Sequence, residues 1–131
     1  MESMSLKIRL SVLWIFMGVA FYRCTSYLNP GMIEKILAGE MAKWQSPEIL
    51  LLQALTWLIP FAMAFLSVTL RDSPNRWANI ILGIVFTGLN IGHLTIHLAE
   101  PSAHDILIVG STIVVTALIA WYAWKWPKQE A

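Results

Sequence analysis

Four long apolar stretches, separated by short polar segments, set the pattern of this chain. The hydrocarbon core of a bilayer is about 30 Å thick and takes roughly 20 apolar residues in a helix. The stretches therefore predict transmembrane helices over about residues 8–27, 48–70, 77–98 and 105–124. Polar breaks that contain proline close the first and third stretches and open the second. We expect a single all-α domain over residues 1–131, built as an integral membrane four-helix bundle.

The segment between the first two helices follows a different pattern. Its apolar residues recur at helical spacing through MIEKILAGEMAKW, with charged residues between them. The segment is too short and too charged to cross a bilayer. We therefore expect a short amphipathic helix over about residues 32–44 that lies at the membrane interface. Gly39 is the weakest point of this helix, because glycine is a poor helix former.

The composition supports a membrane protein and excludes several other classes. Of the 131 residues, 57% are hydrophobic and 13% are charged, with a mean hydropathy of +0.63, which excludes a soluble carrier. A net charge of +1 without a basic run offers no surface for nucleic acid. The expected partner is the lipid bilayer. Cys24 is the only cysteine, which excludes an intrachain disulfide and a zinc site built from several thiolates.

The basic residues predict how the helices are oriented. The richer side of a multi-pass protein is normally cytoplasmic. One predicted side holds Lys7, Arg9, Arg71, Arg76, Lys125 and Lys128, and the other holds Arg23, Lys35 and Lys43. We therefore expect a multi-pass protein of the cell membrane with both termini in the cytoplasm. An inner aromatic belt is expected at Trp77, Trp121, Trp124 and Trp126.

A polar stripe along the third predicted helix is the most informative pattern in the sequence. Its members recur at alternating steps of four and three, which places them on one face: Asn79, Gly83, Phe86, Asn90, His93, His97 and Glu100. Amide and ionisable side chains are costly in hydrocarbon. The stripe is therefore expected to face the interior of the bundle or a wet cavity.

The outer half of the bundle is predicted to gather enough polar residues for a pocket. The candidate ligand-binding residues are Arg23, Gln53, Asn90, His93, His97 and Glu100, with His104 and Asp105 just outside them. In such a site Arg23 pairs with an anionic head group, His93 exchanges a proton and Asn90 orients the guest. The expected guest is a small or lipid-like ligand.

Other interpretations of the same residues stay open. His93 and His97 could share a small ion with Glu100, but the HExxH zinc motif is absent, and two histidines on one helix cannot bind opposite faces of one haem. No metal, cofactor or catalytic residue is therefore assigned. In the plainest interpretation, Asn90 and His93 only link helices by hydrogen bonds, in a structural or accessory protein. The alternative function is a small transporter or membrane enzyme that uses the Asn/His stripe with Arg23.

Two glycines on the opposite side of the third helix suggest contact with a further helix. Gly88 and Gly92 have the four-residue spacing that lets transmembrane helices approach closely. They predict a homo-oligomer formed through Gly88 and Gly92.

The chain resembles a family of uncharacterised small four-helix membrane proteins from prokaryotes, similar in layout to DoxX-like proteins. The resemblance rests on RLSVLWIF in the first helix, Asn29-Pro30-Gly31 with the short helix after it, PNRWANIILGIV and AWYAWKW. It covers nearly the full length. It implies the topology described above and assigns no catalytic residue.

Overall fold

The computed structural model describes residues 3–23, 29–99 and 102–127. Helix α1 spans Ser3–Arg23, α2 Met32–Leu37, α3 Pro47–Thr69, α4 Asp72–Ala99 and α5 Ala103–Trp124, with a 3₁₀ turn at Ala42–Trp44. The described ranges contain no strand. The four long helices form an all-α bundle, which confirms the expected fold class.

Two of the long helices begin about five residues earlier than the sequence predicts. α1 starts at Ser3 instead of residue 8, and α4 starts at Asp72 instead of residue 77. The polar segment before Trp77 was expected to be a turn. It forms the first helical turns of α4, because an acidic residue is favourable at a helix N-terminus and proline is tolerated in the first turn.

The expected interfacial helix over residues 32–44 is wrong in its length. α2 ends at Leu37, and the chain continues as turns and a short 3₁₀ segment. Gly39 has a φ of 78°, which lies in the left-handed region and cannot continue a right-handed helix. Gly31 has a φ of 80° at the N-cap of α2. Two glycine turns therefore confine this helix to six residues.

All four long helices are long and apolar enough to cross a membrane. In each of them, at most 33% of the most apolar window is buried inside the bundle. Large side chains such as Phe65, Leu107 and Val114 are exposed instead. Monomeric soluble proteins rarely expose continuous apolar surface of this extent. These features indicate a membrane protein.

The packing of the helices is uneven. α1 lies against α3 and α5, and α4 packs mainly on α5. The α4–α5 approach is tight at Gly83, where an added Cβ would lie 2.9 Å from the backbone nitrogen of Ala120. The buried residues of α3 all lie in its second half: Pro60, Met63, Ala64 and Ser67. The first half of α3 therefore has no buried residue, although the Trp57 ring lies 6.1 Å from the Tyr22 ring of α1.

The two ends of the bundle hold different parts of the chain. We call the end with Ser3, the α3–α4 turn and the end of α5 the termini end. The other end, which holds the last turns of α1 and α4 and the start of α5, is the distal end. Trp126 lies at the termini end and is only 4% exposed. It belongs to the core, so its expected place in a lipid-facing aromatic belt is wrong.

Candidate functional site

A buried network of amide side chains joins three helices near the termini end. Trp14 Nε1 on α1 donates to Asn79 Oδ1 at 2.7 Å. Asn79 Nδ2 donates to Asn75 Oδ1 at 2.7 Å, and Asn75 Nδ2 donates to the Ser67 carbonyl of α3 at 2.7 Å. All four side chains are fully buried. We call these residues the asparagine network; they cross-link α1, α3 and α4.

An ion pair closes the bundle below this network. Lys7 Nζ lies 3.0 Å from Asp72 Oδ1 and donates to the Leu70 carbonyl at 2.9 Å. Ser3 Oγ donates to the same Asp72 oxygen at 2.9 Å. The start of α1 is thereby tied to the turn between α3 and α4.

The buried face of α4 is apolar beyond Asn79. Three buried residues follow before the next buried polar residue, Asn90: Ile80, Gly83 and Phe86. We call these residues the apolar layer. Thr87, which is partly buried, is the next polar side chain on this side, about 12 Å along the helix axis from Asn79. The stripe predicted from the sequence is therefore two separate polar regions.

Asn90 begins the second polar region at the α4–α5 contact. Its Nδ2 donates to the Thr112 carbonyl at 3.3 Å and lies 3.4 Å from Thr116 Oγ1. The Asn90 side chain is fully buried. Its Oδ1 has no hydrogen-bond partner within the described part of the chain. A buried amide oxygen without a donor is uncommon in native structures.

A cluster of polar side chains occupies the distal end, where α4, α5 and the segment before α2 meet. We call it the distal cluster: Asn29, His93, His97, Ser102, His104 and Asp105. Asp105 is its centre and is only 1% exposed. Asp105 Oδ2 accepts from Asn29 Nδ2 at 2.9 Å and lies 3.4 Å from His97 Nδ1. The carboxylate therefore links three separate segments of the chain.

The second carboxylate oxygen of Asp105 is less well paired. Oδ1 lies 3.4 Å from His104 Nε2, close enough for an ion pair if the histidine is charged. The contact lacks hydrogen-bond geometry, so Oδ1 is buried without a hydrogen-bond partner among the described residues. His104 is 44% exposed, and Ser102 Oγ lies 2.9 Å from its Nδ1. At this contact the His104 ring is exposed, whereas the Asp105 carboxylate is buried.

The two histidines of α4 extend the cluster toward the interior. His97 Nε2 lies 3.0 Å from His93 Nε2. His97 Nδ1 is in an ion-pair contact with Asp105 Oδ2, and which of the two histidines donates in the Nε2–Nε2 hydrogen bond depends on their tautomers. The ring of His93 stacks on Phe21 of α1, with the centroids 5.6 Å apart and the planes 8° from parallel. These contacts connect His93 through His97 to Asp105.

The structure brings some of the predicted ligand-binding residues together and not others. His93 and His97 lie in the distal cluster, and Asn90 lies one turn deeper on α4. Gln53 is exposed on the first half of α3, so the expectation that it joins the interior is wrong. Arg23 is the last residue of α1, and its side chain is outside the described part of the chain. Glu100 and Cys24 are outside the described residues.

Sequence reasoning missed Asn29 as a member of the cluster, and it placed Asp105 just outside the candidate ligand-binding residues. The N-cap residue of α5 is Ser102. Asp105 lies in the first turn of α5, where its side chain faces inwards. The signal was a seven-residue step from Asp105 to Thr112, which places both on the face that meets α4.

Neither the surface depressions nor the possible metal ligands of the described residues add support for a binding site at the distal cluster. One depression of about 680 Å³ lies at the termini end, and one of about 380 Å³ lies between α4 and α5. Neither is lined by the distal cluster. Among the described residues, no three His, Cys, Asp or Glu side chains are placed to hold a metal ion. Hydrogen bonds and ion-pair contacts are the interactions that hold the cluster together.

Gly88 and Gly92 are exposed, and a Cβ added at either would meet nothing within 4 Å. They are not used in packing within the described part of the chain. The homo-oligomer expected through them stays a prediction.

A protein-family model matches nearly the whole chain. The model named "Family of unknown function (DUF6326)" matches residues 3–131. The chain belongs to this family. No curated protein and no solved structure matches it. The family match agrees with the expected resemblance to an uncharacterised family, whereas the DoxX-like layout stays a prediction.

Proposed function

We propose that this protein is an accessory protein of the cell membrane that binds a small ligand at its distal cluster. The main support is the Asp105 carboxylate. Removing a carboxylate from water is costly unless both of its oxygens find donors. Oδ2 has Asn29 and His97, while Oδ1 is buried and lacks a hydrogen-bond partner among the described residues. This oxygen suits a guest that presents an ammonium, amide or hydroxyl donor.

The arrangement around Asp105 supplies a way for such a guest to enter. The His104 side chain is 44% exposed, whereas the Asp105 side chain is 1% exposed. A rotation of its ring would uncover Oδ1 without disturbing the bonds of Oδ2 to Asn29 and His97. Arg23 is the last residue of α1, and Glu100 follows the last residue of α4 in the sequence; we propose that they complete the binding surface.

The alternative function, a transporter or membrane enzyme, has less support. The chain from His93 through His97 to Asp105 could move a proton within the distal end. A transporter that moved a proton or an ion across the bundle would also need a polar path. The apolar layer separates the asparagine network from Asn90, so the two polar regions are not continuous. An accessory binding role needs only the distal region.

Exchange of Asp105 for asparagine tests the proposed site. We expect Asp105→Asn to abolish co-purification of a small molecule, because the amide presents a donor where the guest requires an acceptor. Native mass spectrometry of the detergent-purified parent and variant, followed by identification of released molecules, measures this. Glu48→Gln is the matched control, since Glu48 is an exposed acid at the start of α3. A parent that carries no small molecule, or a molecule retained by Asp105→Asn, would contradict the proposal.

We further propose that both termini face the cytoplasm, because the described basic residues at the termini end outnumber those at the distal end. A single thiol can report this once Cys24 is replaced by serine. Ser73→Cys, at the exposed start of α4, should react with a membrane-impermeant maleimide only after cells are permeabilised. Lys43→Cys, exposed at the distal end, should react in intact cells. The reverse pattern of labelling would show the opposite orientation.

A further inference from the structure

The outer surface of the α4–α5 pair contains a groove with an apolar lining. Its volume is about 380 Å³, within the range of small-molecule sites. α4 contributes Ile80, Ile84 and Thr87, and α5 contributes Ala117, Ala120 and Trp121. On the α5 side, the small side chains of Ala117 and Ala120 leave space between the larger lining residues. Trp124 lines its end nearest the termini.

Two cationic side chains lie at the same end of this groove. Arg76 is four residues before Ile80 on α4, and Lys125 is four residues after Trp121 on α5, so each continues a lining face by one turn. Arg76 Nε donates to the Ala123 carbonyl at 3.3 Å, which holds the guanidinium across the gap to α5. Lys125 Nζ lies 4.7 Å from the centroid of the Trp121 ring.

The positive charge of this pair is not neutralised within the described part of the chain. Neither Arg76 nor Lys125 is paired there with a carboxylate. Arginine has five N–H donors, and the recorded hydrogen bond uses one of them. The remaining donors suit an anionic oxygen, and basic pockets between transmembrane helices are a known means of binding acidic lipid head groups.

We infer that the groove binds one anionic phospholipid of the surrounding bilayer. One acyl chain lies along Ile80, Ile84 and Ala117, and the phosphate contacts Arg76 and Lys125. The tryptophans at this end are suited to the level of the head groups, where aromatic rings of membrane proteins concentrate. This site is separate from the distal cluster, so the two proposals can fail independently.

Native mass spectrometry in detergent tests this with equimolar phosphatidylglycerol and phosphatidylcholine of identical acyl chains. We expect the parent to retain phosphatidylglycerol preferentially. Arg76→Gln with Lys125→Gln should reduce the preference by about fivefold for each cation removed. Arg76→Lys with Lys125→Arg keeps both charges and should keep the preference. Raising the salt concentration should weaken the preference of the parent without any substitution.

Two further variants separate this groove from the general positive charge of the termini end. Arg9→Gln with Arg71→Gln removes two cations outside the groove and should leave the preference unchanged. Ala117→Phe fills the groove and should reduce binding of both lipids. An equal loss of preference in the Arg9 and Arg71 pair would overturn the inference. So would undiminished lipid binding by Ala117→Phe, or a preference that survives the loss of both Arg76 and Lys125.

Discussion

Replacing Gly83 with leucine should destabilise the bundle by about 3 kcal/mol, the upper part of the range for overpacking a core. A Cβ at this position would lie 2.9 Å from the Ala120 nitrogen and 3.1 Å from the Ala120 Cα. Backbone atoms cannot rotate away as a side chain can, so α4 and α5 must separate. Thermal unfolding of the detergent-purified protein, followed by circular dichroism, measures the loss.

Gly88→Leu is the matched control for this prediction. Gly88 is on the same helix but exposed, and a Cβ there meets nothing within 4 Å. We expect its effect on stability to be within about 0.5 kcal/mol, as for most surface substitutions. Equal stability of the two variants would show that the close approach at Gly83 is not limiting. A change of subunit number in Gly88→Leu alone would support the homo-oligomer predicted through Gly88 and Gly92.

Replacing Asn79 with leucine should cost about 2 kcal/mol, because interhelical hydrogen bonds in membranes average about 0.6 kcal/mol and Asn79 joins several. The substitution leaves the Trp14 indole N–H and the Asn75 Oδ1 without their recorded partner in the described interior. Leucine has the branching of asparagine but a larger volume, so a second variant is needed to separate the hydrogen bond from packing. Unfolding in mixed micelles of increasing denaturing detergent measures it.

A double-mutant cycle with Trp14→Phe separates the hydrogen bond from other effects. Trp14→Phe removes the indole donor while keeping an aromatic ring against Phe86. If Trp14 and Asn79 act through their 2.7 Å bond, the double variant should lose less stability than the sum of the single variants. Additive losses would refute the coupling.

The sequence predicted the interior face of α4 well. Asn79, Gly83, Phe86 and Asn90 are all buried, as their spacing of four and three residues predicted. The prediction succeeded because the helical period and the cost of amides in hydrocarbon both act locally along one helix. The presence of four long apolar helices was predictable for the same reason.

The contacts of the distal cluster were harder to predict, because they depend on how separate segments meet. Asn29 and Asp105 are 76 residues apart, and no local pattern shows that their side chains share a hydrogen bond. Gln53 was a candidate ligand-binding residue but is exposed. Its burial depends on which segments pack on the first half of α3, and no residue of that half is buried. Helical spacing predicts the face of the helix on which a residue lies, but it does not predict which side chain of another segment the residue contacts.

The sequence indicated one residue, Gly39, near which the expected helix over residues 32–44 could end. Gly39 was expected to be the weakest point, and the helix ends two residues before it. The interfacial pattern of apolar residues continues through the break, so periodicity alone overestimated the helix. Backbone conformation at a single glycine decided the outcome.

The apolar layer limits how the two ends of the molecule can influence each other. Ile80, Gly83 and Phe86 offer no side-chain hydrogen bonds through which a proton could hop, and their surroundings are unfavourable to an ion. Among the described residues, no chain of side-chain hydrogen bonds along the buried face of α4 therefore links the distal cluster to the termini end. The two ends are connected by α4 and α5, which run continuously between them and are in close contact at Gly83. Proton transfer along the buried side chains of α4 is interrupted at the apolar layer, whereas the helix backbones run continuously through it.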